Sequence, residues 1–436
     1  MESRPNLKIE NFFYFVFLVI IVIYGFITLS FNQSKKKTII LNNPVASSIT
    51  LKTPFNNVSI SETQFPDRVC KITDYGAIGD GKTKNTQAFA DAIADCAQQG
   101  GGKVVVPTGT WLTGPIHLES NIDLDIQKGA QILFTANYAD YLPAVFSRFE
   151  GVEYYNYSPP IYANGAENIA ITGEGSINGQ GEKFWWSIES SRTIKKLYQM
   201  GANNKLLNQR IFGISKPELR PTFIEFVHCN KVLISSITII NGPMWTIHPL
   251  YSQNIIVKNV NIRTSPGPST DGVNIDSSRN VLVENSRFST GDDAIAIKSG
   301  RDKDGKNVGV SSQNIVLRHN VINDAHGAVA IGSEMSGNVQ NIFAQDFIIN
   351  QAQYGFRIKS NIQRGGVAKN IWIKDFKINS LSQAVIQFNT NYEKNNIQYQ
   401  SSPPLFQNIH IDNVTCHDSK NSIRFLGLAE KKTLDN

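Results

Sequence analysis

Cysteine is scarce in this chain, with four residues in 436: Cys70, Cys96, Cys229 and Cys416. No two of them stand in a CxxC spacing, so nothing points to a structural zinc. Four cysteines allow three pairings, and the sequence does not choose between bridges and buried free thiols. Long Lys/Arg blocks are also missing. The formal net charge is only +6, and no aromatic–basic interleaving accompanies it, which argues against nucleic acid as a partner. So mild an excess is compatible with a polyanionic substrate, where only the charges at the site matter. What is abundant is apolar: 41% of residues are hydrophobic against 18% charged, ample for a large core.

Charge is absent altogether from Phe12 to Phe31, "FFYFVFLVIIVIYGFITLSF". About 20 apolar residues span a bilayer as a helix. A cleaved secretory signal has a shorter apolar run and a small-residue cleavage site, and "NQSKKK" offers none. An uncleaved N-terminal hydrophobic helix, anchoring the chain in a membrane, is therefore preferred to a cleaved signal. The positive-inside rule sets Lys35, Lys36 and Lys37 in the cytoplasm, whereas a polymer-degrading domain needs the opposite side. The outside is chosen here, extracytoplasmic and membrane-anchored, against that charge bias. Residues 1–11 are then a short flank, 12–31 the anchor or signal, 32–66 a linker rich in Asn, Ser, Thr and Lys, and 67–436 the folded domain.

One phrase recurs in that domain. It reads "NIDL" at Asn121, "NIAI" at Asn168, "NKVLI" at Asn230, "NIIV" at Asn254 and "NVLV" at Asn280. It continues as "NIVL" at Asn314, "NIFA" at Asn341, "NIWI" at Asn370 and "NIHI" at Asn408. Asn230, Asn254 and Asn280 are 24 and 26 residues apart. Each phrase is a short alternating strand, most are followed by a second, and no helices alternate with them. Such a period marks a solenoid, and the strand content makes it an all-β, right-handed parallel β-helix. A solenoid needs a capped end, and Asn85–Pro107 supplies an N-terminal capping helix: Phe89, Ile93 and Ala97 recur at helical spacing before Gly100 to Gly102.

Stacking the coils at about 4.8 Å brings distant residues into columns. Aligning "GDDAIAIKSG" (from Gly291) with "AHGAVAIGSE" (from Ala325) sets Asp292 on His326 and Asp293 on Gly327. "YGFRIKS" aligns Ile358 with Ile297, which sets Lys359 on Lys298 and Arg357 on Ala296. "STDGVNIDS" sets Asp271 on Asp293. Strict strand alternation sends Asp293 into the core with Ile295 and Ile297, at a prohibitive cost for an unpaired carboxylate. Gly291 before the doublet and Gly272 after Asp271 permit a break that turns Asp293 outward. Three carboxylates then cluster with a histidine and two cations, and like charges so close raise the pKa of at least one acid. A raised acid beside an ionised base is what glycoside hydrolysis uses. Ala294, Ala296, Ala328 and Ala330 are expected to line the same columns and leave room for a ligand.

In these residues the chain resembles the polygalacturonases, glycoside hydrolase family 28, from about Lys71 onward. "STD" (Ser269–Asp271), "GDD" (Gly291–Asp293), "AHG" (Ala325–Gly327) and "RIK" (Arg357–Lys359) match four family motifs in order. Ser269 and Ala325 replace an Asn and a Gly of the pattern, and Ala294 replaces its cysteine. "GRDKDG" and "IGSEMSG" resemble the bacterial and plant branch, which includes exo-acting members. The resemblance implies a pectin lyase-like solenoid that hydrolyses α-1,4-linked galacturonic acid with inversion. Asp292 would be the general acid, kept protonated with help from His326, and Asp271 and Asp293 would hold and deprotonate the water. Arg357 and Lys359 would bind the substrate's carboxylate, with Tyr392 a further contact. No metal or cofactor is implied. The partner is a pectic polysaccharide or oligogalacturonide, and the catalytic domain is expected to be monomeric. Alternatives are a calcium-dependent β-helix lyase, a hydrolase of another pectic polymer such as rhamnogalacturonan, and a non-catalytic carbohydrate-binding β-helix. Two aromatic-rich inserts, Asn137–Pro160 and Phe184–Arg210, are expected to wall off one end of the cleft and make the enzyme exo-acting.

Overall fold

The structure is a computed structural model that describes residues 47–188, 190–214, 216–393 and 403–427, with the backbone of 434–435. The uncharged run Phe12–Phe31 lies outside the described residues. Among the described residues no helix is long and apolar enough to cross a membrane.

Successive coils pair in parallel along three faces. The coil of Gln253–Lys258, Asn261–Arg263 and Val273–Asp276 is followed by Arg279–Glu284, Arg287–Ser289 and Ile295–Lys298. Each strand hydrogen-bonds to its counterpart one coil on, with Ile255 opposite Val281, Ile262 opposite Phe288 and Ile275 opposite Ile297. The chain is thus a parallel β-helix. Its interior is one apolar cluster of stacked Ile, Val and Leu, among them Ile255, Val281, Ile315 and Ile342. Helix α1 (Thr86–Gln98) closes the N-terminal end, with Phe89 and Ile93 buried in that cluster.

The recurring Asn has a backbone cause. Asn121, Asn168, Asn254, Asn280, Asn314, Asn341, Asn370 and Asn408 all have φ between 52° and 64°, a left-handed conformation that Asn tolerates better than most residues. Their side chains bond to one another up the spiral, as in Asn314 to Asn280 at 3.1 Å and Asn341 to Asn314 at 3.0 Å. One phrase slips by a residue. In "NKVLI" the left-handed position is Lys231, with φ 56°.

The linker expected over 32–66 is corrected over its second half. Ser48–Leu51 and Val58–Ser61 form an antiparallel hairpin. Leu51, Val58 and Ile60 pack on Ile256, Leu282 and Val316, outward residues that alternate with inward Ile255, Val281 and Ile315. That outward stripe is apolar and has to be covered. All four cysteines are free thiols.

Candidate active site

The strand that begins at Ile295 is preceded by a break. Backbone pairing persists through it, from Gly272 N–H to Asp293 O at 2.9 Å and from Ala294 N–H to Gly327 O at 2.8 Å. Strict alternation does not persist. Ala294 and Ile295 are both in the core cluster, so Asp293 is released to the outer face. There it lies beneath Gly327, where a Cβ would come within 2.7 Å of Asp293 Oδ1. Only glycine leaves that space.

On the outer face Asp293 is enclosed, with 1% of its side chain exposed. Arg357 Nη2 donates to its Oδ1 at 2.6 Å and Lys359 Nζ to its Oδ2 at 3.1 Å. Burial pushes this carboxyl up, but the two cations outweigh burial and hold it far below the ordinary carboxylate range. Asp271, one coil earlier, is also buried, and its pKa is raised well above the ordinary value by burial and then by the Asp292 carboxylate. Asp292 is the open member, with 33% of its side chain exposed. Its Oδ1 accepts from the Asp293 N–H at 2.9 Å and contacts His326 Nδ1 at 3.2 Å. Burial acts upward on it, the His326 bond acts downward, and the net shift is downward.

The histidine contact corrects one expectation. Arg357 Nη1 lies 3.2 Å from His326 Nε2. Its Nη2 lies 3.1 Å from His326 Nδ1, the same nitrogen that contacts Asp292. The contact with His326 lowers the Asp292 pKa and so favours its ionised form. It does not keep Asp292 protonated, and in the ligand-free site the raised carboxyl is Asp271. The alanines are a second correction. Ala294 and Ala328 belong to the core cluster, and Ala296 and Ala330 are fully buried as well. They form a closed floor and line no open space.

The residues singled out in the sequence converge. Tyr392 joins them, with Lys359 Nζ 5.2 Å from its ring centre. Lys298 and Glu334 were missed as site members. Lys298 Nζ bonds Glu334 Oε2 at 2.9 Å, sits 4.6 Å from the Trp245 ring centre, and interacts electrostatically with Asp271. The signal was available, because Lys298 shares its column with Lys359.

Donor atoms of Asp292, Asp293 and His326 lie within 4.8 Å of one another, a spacing that suits a cation. Both oxygens of Asp293 are already committed to Arg357 and Lys359. A divalent ion would have to displace two fixed positive charges, so the donor set does not fit the calcium of a lyase.

The cleft is asymmetric. On the coils before Asp271 the outward residues Glu225 and His248 are completely buried, as is Asp276 on the strand that follows Asp271. They lie on the side covered by the inserted hairpin Val145–Phe149/Val152–Asn156 and by α2 (Ser191–Ala202), where Phe149, Tyr154, Leu197, Met244 and Trp245 pack together. Asp292 and His326 stay open, the latter with 30% of its side chain exposed.

The profile of the Glycosyl hydrolases family 28 matches residues 96–435. The chain belongs to this family. A "Probable polygalacturonase" of Vitis vinifera is 32% identical over 324 residues, covering 72% of this chain and 61% of the relative. An "Exo-poly-alpha-D-galacturonosidase" of Dickeya chrysanthemi is 30% identical over 395 residues, covering 84% of this chain and 65% of the relative. The chain thus spans less than two thirds of the length of either relative. Among solved structures, a hyperthermoactive exopolygalacturonase from Thermotoga maritima is 38% identical, with a TM-score of 0.81 over 86% of each chain. In this family 28 chain the three aspartates, His326, Arg357 and Lys359 form one connected charge cluster.

Proposed function

We propose that this chain is an exo-acting polygalacturonase that hydrolyses α-1,4 bonds between galacturonic acid residues with inversion. The observation that carries the reading is the division of labour among the three aspartates: Asp293 paired with Arg357 and Lys359, Asp271 buried with its pKa raised, Asp292 open to the cleft. Asp271 and Asp293 together hold a water, and its proton passes to this pair as the water attacks the anomeric carbon. Asp292 gives a proton to the leaving glycosidic oxygen. Substrate strips the remaining solvent from Asp292 and brings a uronate near it, and both effects raise its pKa, so a proton is taken up with the polymer. Arg357 and Lys359, with Tyr392 below, recognise the carboxylate of the neighbouring sugar. The buried side of the cleft stops the polymer from passing through and leaves room for a terminus. As part of the same reading, Phe12–Phe31 anchors a monomeric catalytic domain on the outer side of the membrane.

The test is a time course on polygalacturonate with viscosity, reducing ends and product anomers followed together. The expected result is small products from the first minutes, a slow fall in viscosity per bond cut, and a β-anomer as first product. Early mid-length oligomers with viscosity collapse would show endo-action, a first-formed α-anomer would remove inversion, and unsaturated ends would show a lyase.

A further inference from the structure

Three residues past the catalytic strand stands Arg301, with 5% of its side chain exposed. Its guanidinium lies 3.7 Å from the ring centre of Tyr198 on α2. Nη1 is 3.3 Å from Glu334 and 3.7 Å from Glu150, in the turn of the inserted hairpin, and Nη2 is 3.2 Å from Glu393. The backbone closes the same junction, since Arg301 N–H donates to Gly151 O at 2.9 Å. A Cβ at Gly151 would come within 2.6 Å of Arg301 N, so the turn can approach only as glycine. One side chain therefore touches the inserted hairpin, the inserted helix, the coil loop of Glu334 and the loop of Glu393.

Two of these partners lead straight to the reacting centre. Glu334 also binds Lys298, at 2.9 Å. Glu393 follows Tyr392, whose ring neighbours Lys359, and is held from its other side by Arg364 at 2.9 Å. The Tyr198 hydroxyl donates to Glu150, so the aromatic face takes Arg301 while its edge takes the acid between them. A planar guanidinium can stack on a ring and donate in its own plane at once, which an ammonium cannot.

We propose that Arg301 is a positioning residue that latches the inserted wall to the catalytic coils, and that this latch keeps one end of the cleft closed to polymer. The proposal rests on the exo reading above. The apolar packing of the insert holds it on the spiral. Arg301 fixes where its edge lies relative to Tyr392 and Lys298. Loosening the latch lets polymer through and leaves the acid and base in place.

The full chain is compared with Arg301→Lys and Tyr198→Leu for melting temperature, kcat and KM on trigalacturonate, and the length distribution of products from polymer. Wild type should give small products only. Both variants should release mid-length oligomers early and lose viscosity several-fold faster per bond cut, with kcat on the trimer within about threefold of wild type. If Arg301→Lys does not fold, Tyr198→Leu, which removes the stack and keeps every charge, decides alone. Wild-type product ladders from folded variants overturn the latch and leave the exo reading standing. A wild type that cuts internally removes that reading, and the latch with it.

Discussion

At Asp271 burial and the neighbouring Asp292 carboxylate act in the same direction, and both favour the neutral acid. An unfolded Asp ionises near 3.9, whereas the folded one keeps its proton to a much higher pH. Across that window the native state binds more protons than the unfolded state, so stability is fully present below the unfolded pKa and falls as pH rises through the window. Asp293 has the opposite sign, and its contribution is lost only under strongly acidic conditions. Asp271→Asn removes the titration and keeps the shape. Its unfolding free energy, measured by denaturant at a series of pH values, should match wild type near pH 4 and exceed it at pH 7, while activity is lost. Parallel curves would mean that Asp271 ionises as freely as it does in the unfolded chain. The identity of these site residues was legible in the sequence, because coil stacking brings equivalent positions together whatever the side chains do. Their partners were not. That Arg357 reaches both ring nitrogens of His326 while it holds Asp293 is a rotamer-level fact that a column alignment does not contain.

Among the elements, the asparagine ladder was the clearest signal, and its cause is local. Each Asn both adopts a left-handed backbone and bonds to its neighbours, so the chain reuses it coil after coil. Lys231 shows where reading by phrase fails. The pattern starts at Asn230, but the left-handed residue is the next one, and a one-residue offset is invisible while Asn230 still accepts a bond from Asn254 at 2.8 Å. The ladder can be separated into its two parts at Asn314, which donates to Asn280 and accepts from Asn341 at 3.1 and 3.0 Å. Asn314→Ala loses both bonds, at roughly 0.5–1.5 kcal/mol each, and keeps a Cβ in the left-handed region, at about 1–2 kcal/mol relative to glycine. Asn314→Gly loses the same bonds and relieves that backbone strain. Urea unfolding should therefore rank wild type, then Gly, then Ala, with the Gly-to-Ala step near the backbone figure. Equal losses for the two variants would assign the whole effect to side-chain bonding.

For the molecule as a whole, the spiral and its capping helix were readable because inward ladders repeat with a fixed period, while the hairpin at 48–61 was not. Its eight strand residues are interspersed with Ser and Thr, and the three that matter, Leu51, Val58 and Ile60, gain meaning only from the stripe they cover. Ile256, Leu282 and Val316 each sit between inward residues, so by sequence they merely thicken an apolar strand. A chain starting at residue 67 tests what the hairpin does. It gives up the burial of Leu51, Val58 and Ile60, worth roughly 1.5–3 kcal/mol for each fully buried side chain, and bares three apolar residues on the spiral's outer wall. The shortened protein should melt several degrees lower and bind a hydrophobic dye that the longer chain excludes. The stripe lies on the sheet carrying the asparagine ladder, whereas the aspartates precede strands of the catalytic sheet. Activity per folded molecule on trigalacturonate should therefore stay unchanged. A large fall in kcat at unchanged melting temperature would mean that the hairpin acts on the site and that its role as a cover is wrong.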